Sequence, residues 1–150
     1  MIFQILSCSY DDIPVLVGFQ QKMAMESEGL QLNESLVRKG IKAVIDDSHK
    51  GIYYKVLTGN MVIGCMMNTL EWSDWRNGYF IYIQSLYILP EFRKQGAFSA
   101  MFNFLKQKLY ESGIYIGIRL YVSKSNKVAR EVYKKAGMDY SHYQFFEWVE

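Results

Sequence analysis

The sequence predicts a mixed α/β (α+β) domain, element order βααβββαβαβ, built on one sheet with a long central strand. Three observations carry this. An eleven-residue apolar and aromatic run at 79–89 is long for a strand and ends at Pro90. Two amphipathic segments, 96–111 and 127–136, each connect strand-like runs in the manner of βαβ units. The balance of 50% hydrophobic and 21% charged residues over 150 positions is that of a folded chain, because disorder requires low hydrophobicity and high net charge. With no linker and only 2 Pro, a single domain over 1–150 is expected.

Residues 1–6 read as a strand. Asp11 or Asp12 can then cap a helix that tolerates Pro14 in its first turn, runs to about Glu28 and stops at Gly29. Asn33 caps a second helix through Ile45, with Leu36, Val37, Ala43 and Val44 among its apolar positions. Strands at 52–57 and 61–70 flank Gly59-Asn60, a hairpin signal. Residues 71–78 read as a loop before the long strand 79–89. In the helix 96–111, Phe98, Met101, Phe102, Leu105 and Leu109 recur at helical spacing as the buried stripe. A strand at 117–122 leads to the capping residues Ser123-Lys124-Ser125-Asn126. A helix follows at 127–136, with Val128, Val132 and Ala136 inward and Gly137 as its stop. The alternation at 143–149 suits a final strand.

Several function classes are excluded or demoted. No run of about 18 apolar residues is present, so no membrane-spanning helix is expected. The N-terminus lacks the basic flank of a signal peptide, and the two cysteines, Cys8 and Cys65, form neither a disulfide framework nor a metal-ligand spacing. A cytoplasmic protein without a metal is expected. Net charge is +2, but it is unevenly placed. Residues 91–135 hold ten basic side chains against Glu91, Glu111 and Glu131, a balance of +7, while 1–90 carry −2 and 136–150 carry −3. A polyanion would therefore meet the second half of the chain. The bland account of that segment is solvated helix faces, and the bland account of the 16% aromatic content is a ring-rich core; the functional one adds rings lining a ligand cleft.

The long strand runs into Pro90-Glu91-Phe92-Arg93-Lys94-Gln95-Gly96-Ala97-Phe98-Ser99. A strand, a short loop and a helix N-terminus gather unpaired backbone N–H groups at the positive end of a helix dipole, which suits an anion. Gly96 permits close approach, and Arg93 and Lys94 add charge. The segment 93–98 resembles the Arg/Gln-x-x-Gly-x-Gly/Ala signature with which the GNAT N-acetyltransferase family cradles the pyrophosphate of acetyl-CoA. Leu86-Tyr87-Ile88-Leu89-Pro90 is similar to the end of that family's fourth strand, and Asn126-x-x-Ala129-x-x-x-Tyr133-x-x-x-Gly137 to its second coenzyme-proximal helix. The element order also matches, so the resemblance spans nearly the whole chain and is strongest over 79–140. Phe98 departs from it, standing where the family prefers Gly or Ala; its ring either joins the apolar stripe or reshapes the pyrophosphate site.

The resemblance implies a mostly antiparallel twisted sheet flanked by helices and direct acetyl transfer from acetyl-CoA to a primary amine. It implies coenzyme contacts at Arg93, Lys94, Gln95, Gly96, Ala97, Phe98, Ser99 and Asn126. The main-chain groups of Leu86, Tyr87 and Ile88 would pair with the pantetheine arm as an added strand, and an N–H there could polarise the thioester. Tyr133 takes the place of the family's general acid. The strand 79–89 holds no carboxylate, so proton removal from the amine falls to Tyr82, to Glu26 or Glu71, or to a water chain. His49 and His142 are read as incidental. The acceptor side would hold Glu26, Glu28, Glu71, Trp72, Asp74 and Trp75, with Tyr82 nearby; carboxylates beside aromatic faces suit a cationic amine. Two rivals stand beside this reading: a non-catalytic acyl-CoA-binding or sensing module on the same fold, and, ranked low, a nucleic-acid platform on the basic segment. A homodimer is left open.

Overall fold

The computed structural model describes all 150 residues. Its elements are β1 (Gln4–Ser7), α1 (Ile13–Glu28), α2 (Glu34–Asp46), β2 (Ile52–Thr58), β3 (Met61–Ser73), β4 (Gly78–Ile88), α3 (Ala97–Ser112), β5 (Tyr115–Leu120) and α4 (Lys127–Lys135). The strands form one sheet in the order β1-β2-β3-β4-β5. The first four pair antiparallel, and β5 joins β4 in parallel after the α3 crossover. The mixed, mostly antiparallel architecture expected from the sequence is observed. By chain contacts it divides into two units, Met1–Leu120 and Tyr121–Glu150, each described by itself.

In the first unit, local chemistry sets the boundaries. Ser9 donates its N–H to Asp12 Oδ2 at 2.8 Å, closing a 3-10 turn that leads into α1. Gly29, at φ +65°, ends that helix in the left-handed conformation that glycine adopts without strain. Asn33 Oδ1 accepts the Leu36 N–H at 3.0 Å and starts α2. Gly59 and Asn60 link β2 to β3, with Thr58 opposite Met61 and Gly59 at φ +56°.

Two cores lie on opposite faces of the sheet. Leu16, Val17, Phe19 and Ile41 of α1 and α2 pack on Tyr53, Cys65, Met67 and Tyr87. On the other face, Ala97, Met101 and Leu105 of α3 pack on Tyr54, Val56, Ile63, Met66 and Ile81. Cys8 and Cys65 are free thiols; burial pushes the Cys8 thiol up to about 12.

The structure corrects five local expectations. The middle strand is β3, with β4 beside it. β3 continues through Ser73, so Glu71 and Trp72 lie on a strand rather than in a loop. The buried face of α3 extends to Ala97 and to Phe104, which Tyr54 meets edge-on at 5.0 Å between ring centres; Phe98 and Phe104 are both half-buried against this core, and Phe102 is half-buried beyond it. In the second unit, Val128 is exposed. It lies about 90° from the centre of the face formed by Ala129, Val132, Tyr133 and Ala136 at 3.6 residues per turn. The segment 143–149 is exposed and without regular structure: alternation supplies side chains, but a strand also requires a hydrogen-bonded partner, and the sheet has five strands.

One buried ion pair ties the start of α1 to the sheet. Lys55 Nζ of β2 lies 2.7 Å from Asp12 Oδ1 and 2.9 Å from Oδ2, with Asp12 only 7% exposed. Burial would raise the Asp12 carboxyl, but bonds from Lys55 and Ser9 outweigh it and hold it below the ordinary carboxylate range. A depressed carboxyl contributes stability above its unfolded pKa of ~3.9, and that contribution disappears as pH falls through the folded value. Lys55→Met, which strands a buried carboxylate, is expected to lose ~3–5 kcal/mol at pH 7 in urea unfolding. The gap to wild type should narrow below pH ~4 as Asp12 protonates in both proteins; a gap independent of pH would contradict this account.

Candidate functional site

The site begins where β4 loses a neighbour. β5 pairs with β4 from Tyr79 to Ile83 and no further. Against β3, Ser85 faces Met67 and Ile83 faces Asn68, so Gln84 is an unpaired bulge residue, which bends the strand. Leu89 N–H donates to the Ile63 carbonyl at 2.9 Å. Antiparallel alternation then turns the main-chain groups of Tyr87 and Ser85 toward β3 and those of Leu86 and Ile88 toward the edge that β5 leaves unpaired. Of the three residues expected to offer main-chain bonds, Leu86 and Ile88 are so placed. Tyr87 is not.

The loop that follows is closed by its own groups. A 3-10 turn, Pro90–Phe92, leads to Arg93. Lys94 and Gly96 adopt left-handed φ of +61° and +95°, and Gln95 Nε2 donates to the Glu91 carbonyl at 2.6 Å. The first α3 bond runs from Ala100 N–H to the Gly96 carbonyl at 2.9 Å, so the N–H groups of Ala97, Phe98 and Ser99 precede the helical ladder. Ala97 is buried, Ser99 exposed, and the Phe98 ring stacks on Phe102 with centroids 5.6 Å apart. Its side chain packs along α3.

Arg93 belongs to a cluster that the sequence did not bring together. Its Nε donates to the Ile88 carbonyl at 2.8 Å and its Nη2 to Glu26 Oε2 at 2.7 Å, with the guanidinium 5.3 Å from the Tyr87 ring centre. Tyr87, packed on Phe19, donates its hydroxyl to Glu26 Oε1 at 2.8 Å. Glu26, read as an acceptor-side group, and Arg93, read as a phosphate ligand, are therefore partners. Burial alone would raise the Glu26 carboxyl, but bonds from Arg93 and Tyr87 hold it low; burial and the Glu26 carboxylate push the Tyr87 phenol up to about 12. Lys94, the other cation of the loop, is exposed.

The remaining acceptor-side residues lie elsewhere. Tyr87 sits opposite Cys65 and Phe80 opposite Glu71, a separation of about 20 Å along β3 at the usual strand rise. Glu71 is ion-paired with Arg119, whose guanidinium lies 3.6 Å from the Phe80 ring centre. Trp72 packs edge-on to Tyr79 at 4.8 Å. Asp74 and Trp75 lie in the exposed turn between β3 and β4, where Asp74 Oδ1 accepts the Trp75 N–H at 3.0 Å. Tyr82 is half-buried on β4 opposite Thr69. Glu28 ends α1 and is exposed. Beside Glu26, an open cavity of about 860 Å³ lies between the end of α1 and the start of α2, lined by Lys22, Met25, Gln31 and Glu34 among others.

In the second unit, Asn126 Oδ1 accepts the Ala129 N–H at 3.1 Å and caps α4, so this side-chain oxygen has a structural partner. Tyr133 is half-buried, and burial raises its phenol above the ordinary value of 10.0. The sequence reading also missed Gln20, buried on α1, whose Nε2 lies 3.3 Å from the Tyr53 hydroxyl and 3.2 Å from Ser85 Oγ at the bulge. Its signal was a polar residue at helical spacing within the apolar stripe of Leu16 and Ala24. No group of three His, Cys, Asp or Glu side chains is placed to hold a metal ion, and no helix is long and apolar enough to cross a membrane.

The chain matches the model of the acetyltransferase (GNAT) family over residues 20–138. A crystal structure of a possible acetyltransferase from Clostridium difficile 630 is 35% identical, with TM-score 0.90 over 100% of this chain and 99% of that one. The integron cassette protein HFX_CASS3 from the mobile metagenome of Cole Harbour Salt Marsh is 20% identical, with TM-score 0.83 over 97% and 90% of the two chains. Aminoglycoside N-acetyltransferase AAC(6')-Iy in complex with CoA is 10% identical, with TM-score 0.79 over 99% and 95%. These last two share the fold. No curated protein sequence matches the chain.

The released half of β4 depends on Gly64. A Cβ there would lie 2.4 Å from the Tyr87 carbonyl oxygen and 3.1 Å from Ile88 Cα, backbone atoms that cannot swing aside. Gly64→Ala is expected to push β3 from β4 beneath the loop and to lower unfolding free energy by ~1–3 kcal/mol, measured by urea denaturation. An unchanged midpoint would show that the two strands separate without cost.

Proposed function

The chain belongs to the acetyltransferase (GNAT) family, and from that premise we propose that it moves the acetyl group of acetyl-CoA to a primary amine by direct transfer, as a single domain over 1–150. Acetyl-CoA is the co-substrate and supplies the activated thioester. The observation that carries the reading is the unpaired edge at Leu86 and Ile88 beside the N-terminus of α3: one offers strand-type bonds to an amide-bearing arm, the other unladdered N–H groups to phosphates. Gly96 fits a close approach, because the space where its Cβ would stand meets only the Phe3 ring, at 3.7 Å.

Within this reading Arg93 acts as a brace. Its charge is matched by Glu26, so Lys94 and the N–H groups of 97–99 face the phosphates. Attraction by Lys94 is testable. CoA is expected to bind the wild type in calorimetry, and Lys94→Glu to weaken it about tenfold, or ~1.4 kcal/mol. Wild type that binds no CoA at low millimolar concentration would end the proposal.

Both carboxylates considered as bases are in ion pairs, Glu26 with Arg93 and Glu71 with Arg119. Removal of the ammonium proton therefore falls to Tyr82 or to water. The acceptor belongs at the cavity beside Glu26, whose lining also carries Glu34 and one cation, Lys22; with Glu28 at the end of α1, carboxylates outnumber lysines on this surface, which suits a cationic amine. A screen of amines for acetyl-CoA-dependent thiol release tests the class, and a preference for anionic acceptors would overturn it.

Tyr133 is proposed as the general acid for the departing thiolate, by its place in the matching motif. Its raised phenol stays protonated at neutral pH, and an acid catalyst loses activity only as pH rises through its own pKa, here above 10. Tyr133→Phe keeps the ring and removes the hydroxyl. The turnover number is expected to fall ~10²–10⁴-fold with CoA affinity near wild type. Turnover within about threefold, with chemistry rate-limiting, would assign Tyr133 to packing alone.

A further inference from the structure

The face of the sheet covered by α3 holds a cavity of about 440 Å³ that acetyl transfer does not use. It lies toward the far end of α3. Lys108, which lines it, is eleven residues from Ala97 at the loop, about 16 Å along the helix axis. Tyr54, Tyr79 and Tyr115 line it from β2, β4 and β5, with Ile81 and Leu70 among the apolar walls. Lys108 is held in place by two rings, its ammonium 5.0 Å from the Phe104 centre and 5.6 Å from that of Tyr54. The lining contains no Asp or Glu.

Asn68 also lines this cavity. It is 6% exposed, and its Oδ1 is the one buried side-chain polar atom in the structure without a hydrogen-bond partner. Its neighbours across the ladders, Ile52 in β2 and Ile83 in β4, put its side chain on the α3 face, since directly opposed residues share a face. Asparagine is depleted from strands, and a buried polar group without a partner opposes folding. A residue serving only to fill this place would be apolar. An orphaned acceptor on a roomy wall calls for a donor from outside the chain.

We propose that this cavity is a second small-molecule site for a planar aromatic acid bearing an O–H or N–H donor. The donor meets Asn68 Oδ1, the ring lies among the three tyrosines, and the carboxylate meets Lys108. Burial and the neighbouring Tyr115 raise the Tyr54 phenol, so Tyr54 keeps a neutral hydroxyl that can donate to the ligand's anionic end. The site does not depend on the cradle at the other end of α3.

The probe is 4-hydroxybenzoate, which has no amine to accept an acetyl group. Titrated into ¹⁵N-labelled full-length protein, it is expected to shift the Asn68 side-chain amide pair and the backbone signals of Tyr79 and Lys108 saturably, with a dissociation constant below ~1 mM. Asn68→Leu keeps the volume and removes the amide; it should weaken binding at least about tenfold, and Lys108→Met by about tenfold, with CoA affinity unchanged in both. Benzoate, lacking the donor, should bind wild type about tenfold more weakly than the probe. Should Asn68→Leu fail to fold, Lys108→Met and the benzoate comparison decide the question. Shifts that do not saturate by ~10 mM, or equal affinities for probe and benzoate together with an unaffected Lys108→Met, would reduce the cavity to a water-filled void and overturn the proposal.

Discussion

A strand with a neighbour on one side only must satisfy its outward main-chain groups in some other way, and β4 meets that constraint beyond Ile83. The bulge at Gln84 bends it where β5 stops pairing. Ile88 answers with its carbonyl, which accepts Arg93 Nε. That bond fixes the first residue of the loop after the 3-10 turn to the edge it has just left. The same guanidinium reaches Glu26 on α1, and Glu26 takes the Tyr87 hydroxyl from the strand. Strand, loop and first helix are thus linked through one arginine, and the start of α3 is positioned before any ligand arrives.

The arrangement also redistributes charge. An arginine with a matched carboxylate contributes little net field beyond its own neighbourhood, and a partly exposed pair of this kind adds little stability. Its value lies in direction: the planar guanidinium spends separate donors on a carbonyl and a carboxylate while stacking near a ring. Positive charge at the loop is then left to Lys94 and to the N–H groups at the start of α3, the latter fixed by backbone geometry. On the far half of the sheet Arg119 and Glu71 repeat the pattern, again over a ring, Phe80.

What was legible in the sequence had local causes. Asn33 and Asn126 as caps, Gly29 and Gly137 as stops and Gly59-Asn60 as a hairpin turn each act within a few residues, and each stands in the structure where it was expected. The turn at Gly96 into α3 was legible for the same reason. What was not legible depends on distant partners. Glu26 and Arg93 are 67 positions apart and Glu71 and Arg119 are 48 apart, so charge counted by segment could not reveal that the basic segment is partly neutralised by the acidic one. The strand expected at 143–149 fails on the same ground: period-two alternation describes a face, whereas a strand exists only by pairing. Helical faces were off by a fraction of a turn at α3 and α4, because periodicity gives a stripe and only the packed sheet decides where its centre lies.

The excess of aromatic residues acquires a more specific meaning from these placements. A cation held over a ring loses freedom without being neutralised, so the ring fixes where the charge points. Arg93 lies on Tyr87 at the loop, Arg119 on Phe80 at the far end of β4, and Lys108 on Phe104 and Tyr54 beside the cavity under α3. Two of the three carry a carboxylate partner from the chain itself, Glu26 and Glu71. Lys108 carries none, and no acidic side chain lines the cavity it borders. The same sheet therefore fixes two matched arginines on its α1 side and one unmatched lysine on its α3 side. The unmatched one stands over the same cavity wall as the unpaired Asn68, where a ligand's charge and donor would complete both.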